Sequence, residues 1–346
     1  MSEAADRFAR LIRQFGPISV AQYMGEGNAL YYASRDPLGA AGDFVTAPEI
    51  SQMFGEMIGL WCADLWHRAG RPDRIAYVEL GPGRGTLAAD ALRAMASQSL
   101  RPEVHLVEAS PVLRAEQAKR VPTARFHDSS DALPDETPLL LVANEFFDAL
   151  PVRQLVRAEA GWRERMVGLE DGALAFVAGT TPMDEAVPSD LADAAQGTII
   201  ETSPSAAALW RDLCARAARQ GGAMLAIDYG HLTPRTGSTL QAVRRHDKVG
   251  VFDAPGEADL TAHVDFAILA DLAGQAGLTV RTAEQGAWLN GLGMGQRAQI
   301  LSKGSEASAS AVAAAYHRLT HGEEMGTLFK VLSASAADWP EPAVFA

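Results

Sequence analysis

Ten residues, Tyr77-Val78-Glu79-Leu80-Gly81-Pro82-Gly83-Arg84-Gly85-Thr86, constrain this chain more than any other stretch. An apolar run leads to an acid, glycines follow at alternate positions, and the segment from Leu87 to Met95 carries apolar residues at helical spacing. That order predicts a strand, a tight turn and a helix. Glycines let backbone N–H groups come close to a ligand, and the helix N-terminus adds partial positive charge. Such a turn suits a nucleotide-like ligand bearing a carboxylate or phosphate.

From here strand and helix patterns alternate: Ile75–Leu80, Arg84–Ala96, Val104–Glu108, Pro111–Arg120, Ala124–His127 and the continuous apolar run Pro138–Ala143. This is the repetition of a doubly wound parallel sheet, an α/β fold. After Pro151 the period becomes two. Val152–Val156, Trp162–Leu169 and Ala173–Ala178 alternate, with Asp171-Gly172 as a hairpin signal, so a β meander is expected as an insertion. Further strands are expected at Thr198–Glu201, Gly222–Tyr229, Leu278–Ala283 and Leu328–Leu332, and further helices to Arg219, over Phe266–Ala276 and over Val312–Thr320. Upstream, helices are expected over residues 1–16, from Ser19 through Met24, and from Pro48 to Arg68, with Gly25–Pro48 as a long loop. Ser302–Ala311 reads as a mobile loop.

At 346 residues the chain has room for one large α/β domain with insertions, or two domains. A net charge of −13 argues against a nucleic-acid partner. Cys62 and Cys214 lack metal-ligand spacing and read as buried free thiols, and the histidines give no metal site. No apolar stretch reaches the ~18 residues of a membrane span. The first fifteen residues include Glu3 and Asp6, unlike an acid-poor presequence, and a cytoplasmic protein is expected.

Which nucleotide the turn takes depends on spacing. The pattern is G-x-G-x-G rather than the dinucleotide G-x-G-x-x-G, and Glu79 precedes it by two residues. An acid is awkward beside a pyrophosphate and comfortable beside the sulfonium and amino groups of S-adenosylmethionine. Glu108, ending the second strand, can accept from both ribose hydroxyls, which supports a nucleoside of either kind. Asp128, after the third strand, either accepts an adenine amino proton or serves as a loop or cap acid. S-adenosylmethionine is favoured over a nicotinamide cofactor.

Seven stretches then carry a family resemblance: residues 17–24, Gly42-Asp43-Phe44-Val45-Thr46-Ala47-Pro48-Glu49 with its continuation to Glu56, Glu79-Leu80-Gly81-Pro82-Gly83-Arg84-Gly85-Thr86, Asn144-Glu145-Phe146-Phe147-Asp148-Ala149-Leu150-Pro151, Ile227-Asp228-Tyr229-Gly230, residues 255–266 and residues 325–330. Together they resemble the MidA-type class I methyltransferases, the family of the mitochondrial complex I assembly factor that methylates an arginine. The resemblance implies a class I (Rossmann-like) S-adenosylmethionine methyltransferase sheet with an N-terminal helical lid over 1–70, a methyltransferase domain over 71–346 and the β-rich insertion at about 152–180. It also implies a protein arginine as acceptor, with the 49 kDa-type subunit of respiratory complex I as the partner and symmetric dimethylation as the outcome. The mitochondrial members carry a targeting extension that this chain lacks, which suggests a bacterial relative. A small-molecule methyltransferase and a non-catalytic S-adenosylmethionine-binding chaperone are the alternatives.

Arginine is a poor nucleophile because its guanidinium is protonated and delocalised. Two carboxylates gripping it like a fork would localise its charge and expose one nitrogen. Glu145 and Asp148, just past the carboxyl end of a buried strand, are the candidates, although either could instead cap the next helix. Asp228 is a second acid at that edge, substrate-facing or structural. His263 is either a general base or a loop histidine. Cofactor binding is assigned to Glu79, Gly81, Gly83, Gly85, Glu108, Asp128 and Asn144, with Thr46 and Gln52 lining the lid side.

Overall fold

Seven strands supply the frame: β1 (Ala76–Leu80), β2 (Glu103–Val107), β3 (Arg125–His127), β4 (Leu139–Asn144), β5 (Gly222–His231), β6 (Thr279–Glu284) and β7 (Phe329–Ser335). The computed structural model describes residues 3–34 and 46–345. The strands lie in the order 3-2-1-4-5-7-6, and β7 runs antiparallel to both of its neighbours while β1 to β5 are parallel. Strand order reverses between β1 and β4, so a crevice opens there at the carboxyl ends, where open α/β sheets take ligands. This is the Rossmann-like class I sheet.

Helices α1 (Glu3–Phe15) and α2 (Val20–Ser34) precede the sheet. Helices α3 (Gln52–Arg68) and α4 (Thr86–Ser97) cover one face, where Trp61, Met57 and Ile58 meet Tyr77, Leu140 and Leu225. Helix α5 (Pro111–Arg120) follows β2. Helices α6 (Pro204–Gln220) and α7 (Phe266–Gln275) cover the other face, with Trp210 and Phe266 against Leu139 and Leu141. Because both faces are covered, β1 and β4 are buried at every position, which is why β4 reads as an unbroken apolar run rather than an alternating one.

Two smaller sheets lie beyond the crevice. Arg153–Ala158, Gly161–Glu170 and Ala173–Pro182 form the meander, extended on one side by Ile199–Thr202 and on the other by Ile18–Ser19 of the N-terminal segment. Gln241–Arg244 stands between Asp247–Val249 and Asp259–Thr261 in a three-stranded sheet. Phe8, Tyr23 and Met24 of the N-terminal helices share a core with Val167 and Leu260 of these sheets. Asn28 fastens that contact. Its amide donates to the Leu260 carbonyl at 2.8 Å and to the Ala149 carbonyl at 3.2 Å, and its oxygen accepts from the Leu260 N–H at 3.0 Å.

Three local expectations change. The second helix runs to Ser34 instead of stopping near Met24, with Gly25 and Gly27 on it facing Pro151 and Leu260. The expected helix from Pro48 is two pieces, a turn at Ala47–Ile50 and then α3. Ser51 is extended between them and accepts the Met53 N–H as a cap. The segment expected as a mobile loop contains the start of a helix, Glu306–Thr320, capped by Ser305 and rich in alanine. Residues 42–45 of the expected lid lie outside the described residues.

Asn28→Ala leaves both backbone groups of buried Leu260 without this partner. Chemical denaturation should show a loss of about 2–4 kcal/mol, with two such groups at ~1–3 kcal/mol each and partial relief by water.

Candidate active site

Left-handed backbone shapes the crevice. After β1 the chain turns through Gly81, Gly83 and Gly85 at φ +57°, +52° and +79°, values that favour glycine. A Cβ on Gly81 would also stand 2.8 Å from the Phe146 ring, so the turn and the loop after β4 pack directly on one another. The Gln117 amide secures the turn from α5 by donating to the Gly83 carbonyl at 2.6 Å.

A cavity of about 850 Å³ opens beside this turn. Of the residues expected to hold a cofactor, Glu79, Gly81, Gly83, Glu108, Asn144 and Thr46 line it. The other three do not, and each has a physical reason. The Gly85 Cα faces Gln117, 3.4 Å from where a Cβ would be, so this glycine permits close packing of α4 on α5. Asp128 is exposed and ion-paired with Arg114 at 2.5 Å. The Gln52 amide donates to Glu56 at 3.2 Å, within an ion-pair cluster in which Arg297 grips the Glu56 carboxylate at 2.7 and 2.9 Å. Sequence reasoning left Tyr32 out of the site, although Tyr32 lines the cavity. Glu49 also lines it and accepts from the Thr86 hydroxyl at 2.5 Å.

The polar groups of this cavity fit a ligand that combines cations with a ribose. Glu79 is buried, and desolvation pushes its carboxyl up to about 8, although the Tyr77 hydroxyl donates to it at 2.7 Å. A cation beside it would offset that desolvation. Glu108 accepts from the Ser110 N–H at 2.8 Å through one oxygen and from the Gln117 amide at 3.3 Å through the other, and burial raises its carboxyl as well. The Asn144 amide nitrogen donates to Glu145 at 3.1 Å, while its oxygen is buried with no partner among the described residues, an acceptor that a ligand N–H would satisfy.

A second cavity of about 300 Å³ adjoins the first, and Tyr32 and Glu145 line both. Asp148, Tyr229, Asp259 and His263 also line it, giving it three carboxylates. Glu145 holds φ +50°, a conformation that costs a non-glycine residue about 1–3 kcal/mol. It is held there by the Ala47 N–H, which donates to Oε1 at 2.8 Å, and by its own N–H, which donates to the Ile227 carbonyl at 2.8 Å. Desolvation, with Asp148 nearby, pushes Glu145 up to about 7. Burial likewise raises Asp148 to about 6, against the Tyr229 hydroxyl that bonds to it. Among the described residues neither carboxylate forms an ion pair.

Asp228 lines neither cavity. Its Oδ2 accepts the successive backbone N–H groups of Phe146, Phe147 and Asp148 at 3.1, 3.0 and 3.2 Å, and Oδ1 accepts the Tyr229 N–H at 3.0 Å. Burial and the neighbouring Asp148 and Glu145 push its carboxyl up, while these four donors favour its charged form. Asp228 is therefore a positioning residue that folds the Glu145–Asp148 loop. His263 forms part of the second cavity's wall, edge-on to Tyr229 with centroids 5.4 Å apart. Burial and Arg235 push its ring down to about 4, too weak a base to match neutral pH.

Comparison with known proteins decides the family. Residues 57–283 match the family model described as "Putative S-adenosyl-L-methionine-dependent methyltransferase". The chain belongs to this methyltransferase family. It is 36% identical to "Protein arginine methyltransferase NDUFAF7, mitochondrial" of Danio rerio, over 92% of this chain and 83% of that one. With the human protein of the same name it shares 34% identity over 92% and 80%. A Burkholderia thailandensis crystal structure of a COG1565 superfamily member bound to S-adenosyl-homocysteine superposes with a TM-score of 0.82 at 30% identity, covering 97% of this chain and 93% of that chain. The methyltransferase thus uses S-adenosylmethionine. One expectation is overturned: the curated relatives are named as mitochondrial proteins, which points away from the cytoplasm. No helix among the described residues is long and apolar enough to cross a membrane.

Because Glu79 is largely protonated at neutral pH when no cation is beside it, binding of S-adenosylmethionine should release a proton. Affinity should therefore tighten, by up to about tenfold per pH unit, as pH rises toward 8 and then level off. Calorimetry across pH and in buffers of different ionisation enthalpy checks this, and Glu79→Gln should abolish both the proton release and the slope.

Proposed function

We propose that the methyltransferase transfers methyl groups to a protein arginine, with the second cavity as the acceptor site. The observation that carries this reading is Glu145, shared by both cavities and accompanied in the acceptor cavity by Asp148 and Asp259. Glu145 and Asp148 are buried and form no ion pair among the described residues, which favours a cationic ligand, because the cation offsets their desolvation. A guanidinium fits two carboxylates better than an ammonium does, since its planar fork donates to both at once. The curated relatives are named protein arginine methyltransferases, which supports the same acceptor.

When bound, S-adenosylmethionine supplies an electrophilic methyl group on a good leaving group, so the protein's task is alignment and exclusion of water. Glu145 and Asp148 hold one edge of the guanidinium and draw its charge toward that side, leaving the far nitrogen to meet the donor cavity. Methylation of that nitrogen leaves the guanidinium with a proton to lose, and delocalisation lets it leave from the edge that the carboxylates hold. Glu145, raised to about 7, is matched to accept it near neutral pH, whereas His263 is not. Asp228 keeps both carboxylates in register by holding the three N–H groups that follow Glu145.

On the resemblance, the acceptor is the 49 kDa-type subunit of respiratory complex I and the product is symmetrically dimethylated. Mass spectrometry of that subunit from cells with and without the gene should show an arginine gaining 28 Da only when the gene is present, with a fragmentation pattern of symmetric dimethylation. Unchanged methylation would remove this substrate. Purified Glu145→Gln should lose about 10²–10⁴ in kcat on an arginine peptide while S-adenosylmethionine affinity stays within a few-fold. Methyl transfer to a small molecule alone, or none at all by the wild type, would instead favour a small-molecule enzyme or a binding-only chaperone.

A further inference from the structure

The acceptor cavity has a wall that the carboxylate clamp does not explain. Tyr32, late in α2, and Glu145 line both cavities, so the passage from donor to acceptor runs between them. The Tyr32 hydroxyl is not pointed at solvent. It donates to Asp259 Oδ1 at 2.9 Å, which ties the side chain to the three-stranded sheet. Four residues earlier on the same helix, Asn28 bonds to the backbone of Leu260, the next residue in that strand, and to Ala149 of the loop that carries Glu145. Tyr31 packs edge-on against the Tyr32 ring with centroids 5.1 Å apart. Helix, strand and loop are therefore fixed to one another, and Tyr32 and Glu145 are held as walls common to both cavities.

We propose that Tyr32 is the specificity-determining residue of this site, forming with Glu145 a slot that admits a flat guanidinium and rejects a tetrahedral ammonium. This rests on the arginine reading above. A guanidinium is planar, weakly hydrated and able to stack on an aromatic face while its N–H edge donates to a carboxylate. An ammonium is compact and strongly hydrated, and it directs three donors in a cone that a flat slot beside an aromatic ring does not match. The ring selects by shape. The hydroxyl, occupied by Asp259, positions the ring and leaves no free donor in the passage to compete for Glu145.

The test pairs two variants with two acceptors. Wild type, Tyr32→Phe and Tyr32→Leu are assayed on peptides that differ only in arginine or lysine at the acceptor position. Affinity for S-adenosylhomocysteine is measured by calorimetry, and peptide binding is measured on that complex. Tyr32→Phe keeps the ring and loses the bond to Asp259. It should raise KM for the arginine peptide about threefold to tenfold, with kcat nearly unchanged and arginine still preferred. Tyr32→Leu should lower kcat/KM on arginine at least a hundredfold and weaken binding of the arginine peptide at least tenfold. The gap between arginine and lysine peptides should shrink accordingly, with S-adenosylhomocysteine affinity within threefold of wild type. If Tyr32→Leu binds and methylates the arginine peptide within threefold of wild type, Tyr32 is not the selector, and the arginine reading stands. If wild type modifies lysine as readily as arginine, or neither, the arginine reading and the slot fall together.

Discussion

One buried carboxylate organises the reactive end of this protein. Asp228, at the end of β5, takes three consecutive N–H groups from the loop after β4, 80 to 82 residues earlier in the chain. Without that acceptor the loop would bury donors with no partner, a cost of about 1–3 kcal/mol each. With it, the backbone curls tightly enough that Glu145 is held at a left-handed φ and Asp148 faces the same cavity as Tyr229 and Asp259. The Phe146 ring then lies against Gly81, so the loop that carries Glu145 and Asp148 also packs on the glycine turn. The two adjoining cavities are shaped by one local arrangement rather than by two independent ones.

The same arrangement has an energetic consequence. Glu79, Glu145 and Asp148 are raised to about 8, 7 and 6 because they are buried without ion pairs. For each, folding favours the protonated form. The stability that each contributes is complete below the ordinary carboxylate range near ~4 and is lost as pH rises through its folded value. At neutral pH the ligand-free protein therefore carries destabilised acids, and a cation arriving beside them relieves the strain. Tension of this kind is expected where binding and stability compete for the same groups. The Glu56 cluster is the contrast. Arg297 and Arg93 pair with it and lower its carboxyl, and nothing there is left for a ligand.

Much of this was legible in the residues. Hydrophobic period and glycine spacing located the strands of the main sheet, the helix after the glycine turn and the meander to within a residue or two at most ends. Glu79 and Glu108 stood out because an acid beside a glycine turn, or at the end of the next strand, has few other uses. Contacts across long sequence separation were not legible. Asp228 was noticed as an acid at the right edge, yet only the fold shows it turned toward backbone N–H groups. Gln52 fell in a stretch that resembles the family, but an extended Ser51 resets the helix start and leaves its amide with Glu56. Tyr32 fell in the stretch expected as a long loop, which starts at Gly25 and includes Gly27, so nothing in the residues set it on a helix beside the site. Those glycines instead mark where α2 passes close to Pro151 and Leu260.

The loop built on Asp228 keeps Glu145 buried and raised, and the role proposed for Glu145 is to accept a proton from the edge of the guanidinium it holds. The pH dependence of kcat/KM for an arginine peptide, measured at saturating S-adenosylmethionine, reports that group most directly. The account predicts an acid limb of unit slope with its midpoint at about 7, displaced in Asp228→Asn and absent in Glu145→Gln. A wild-type profile that is flat from about pH 5.5 to 8, or a limb in the ordinary carboxylate range near ~4.5, would contradict it.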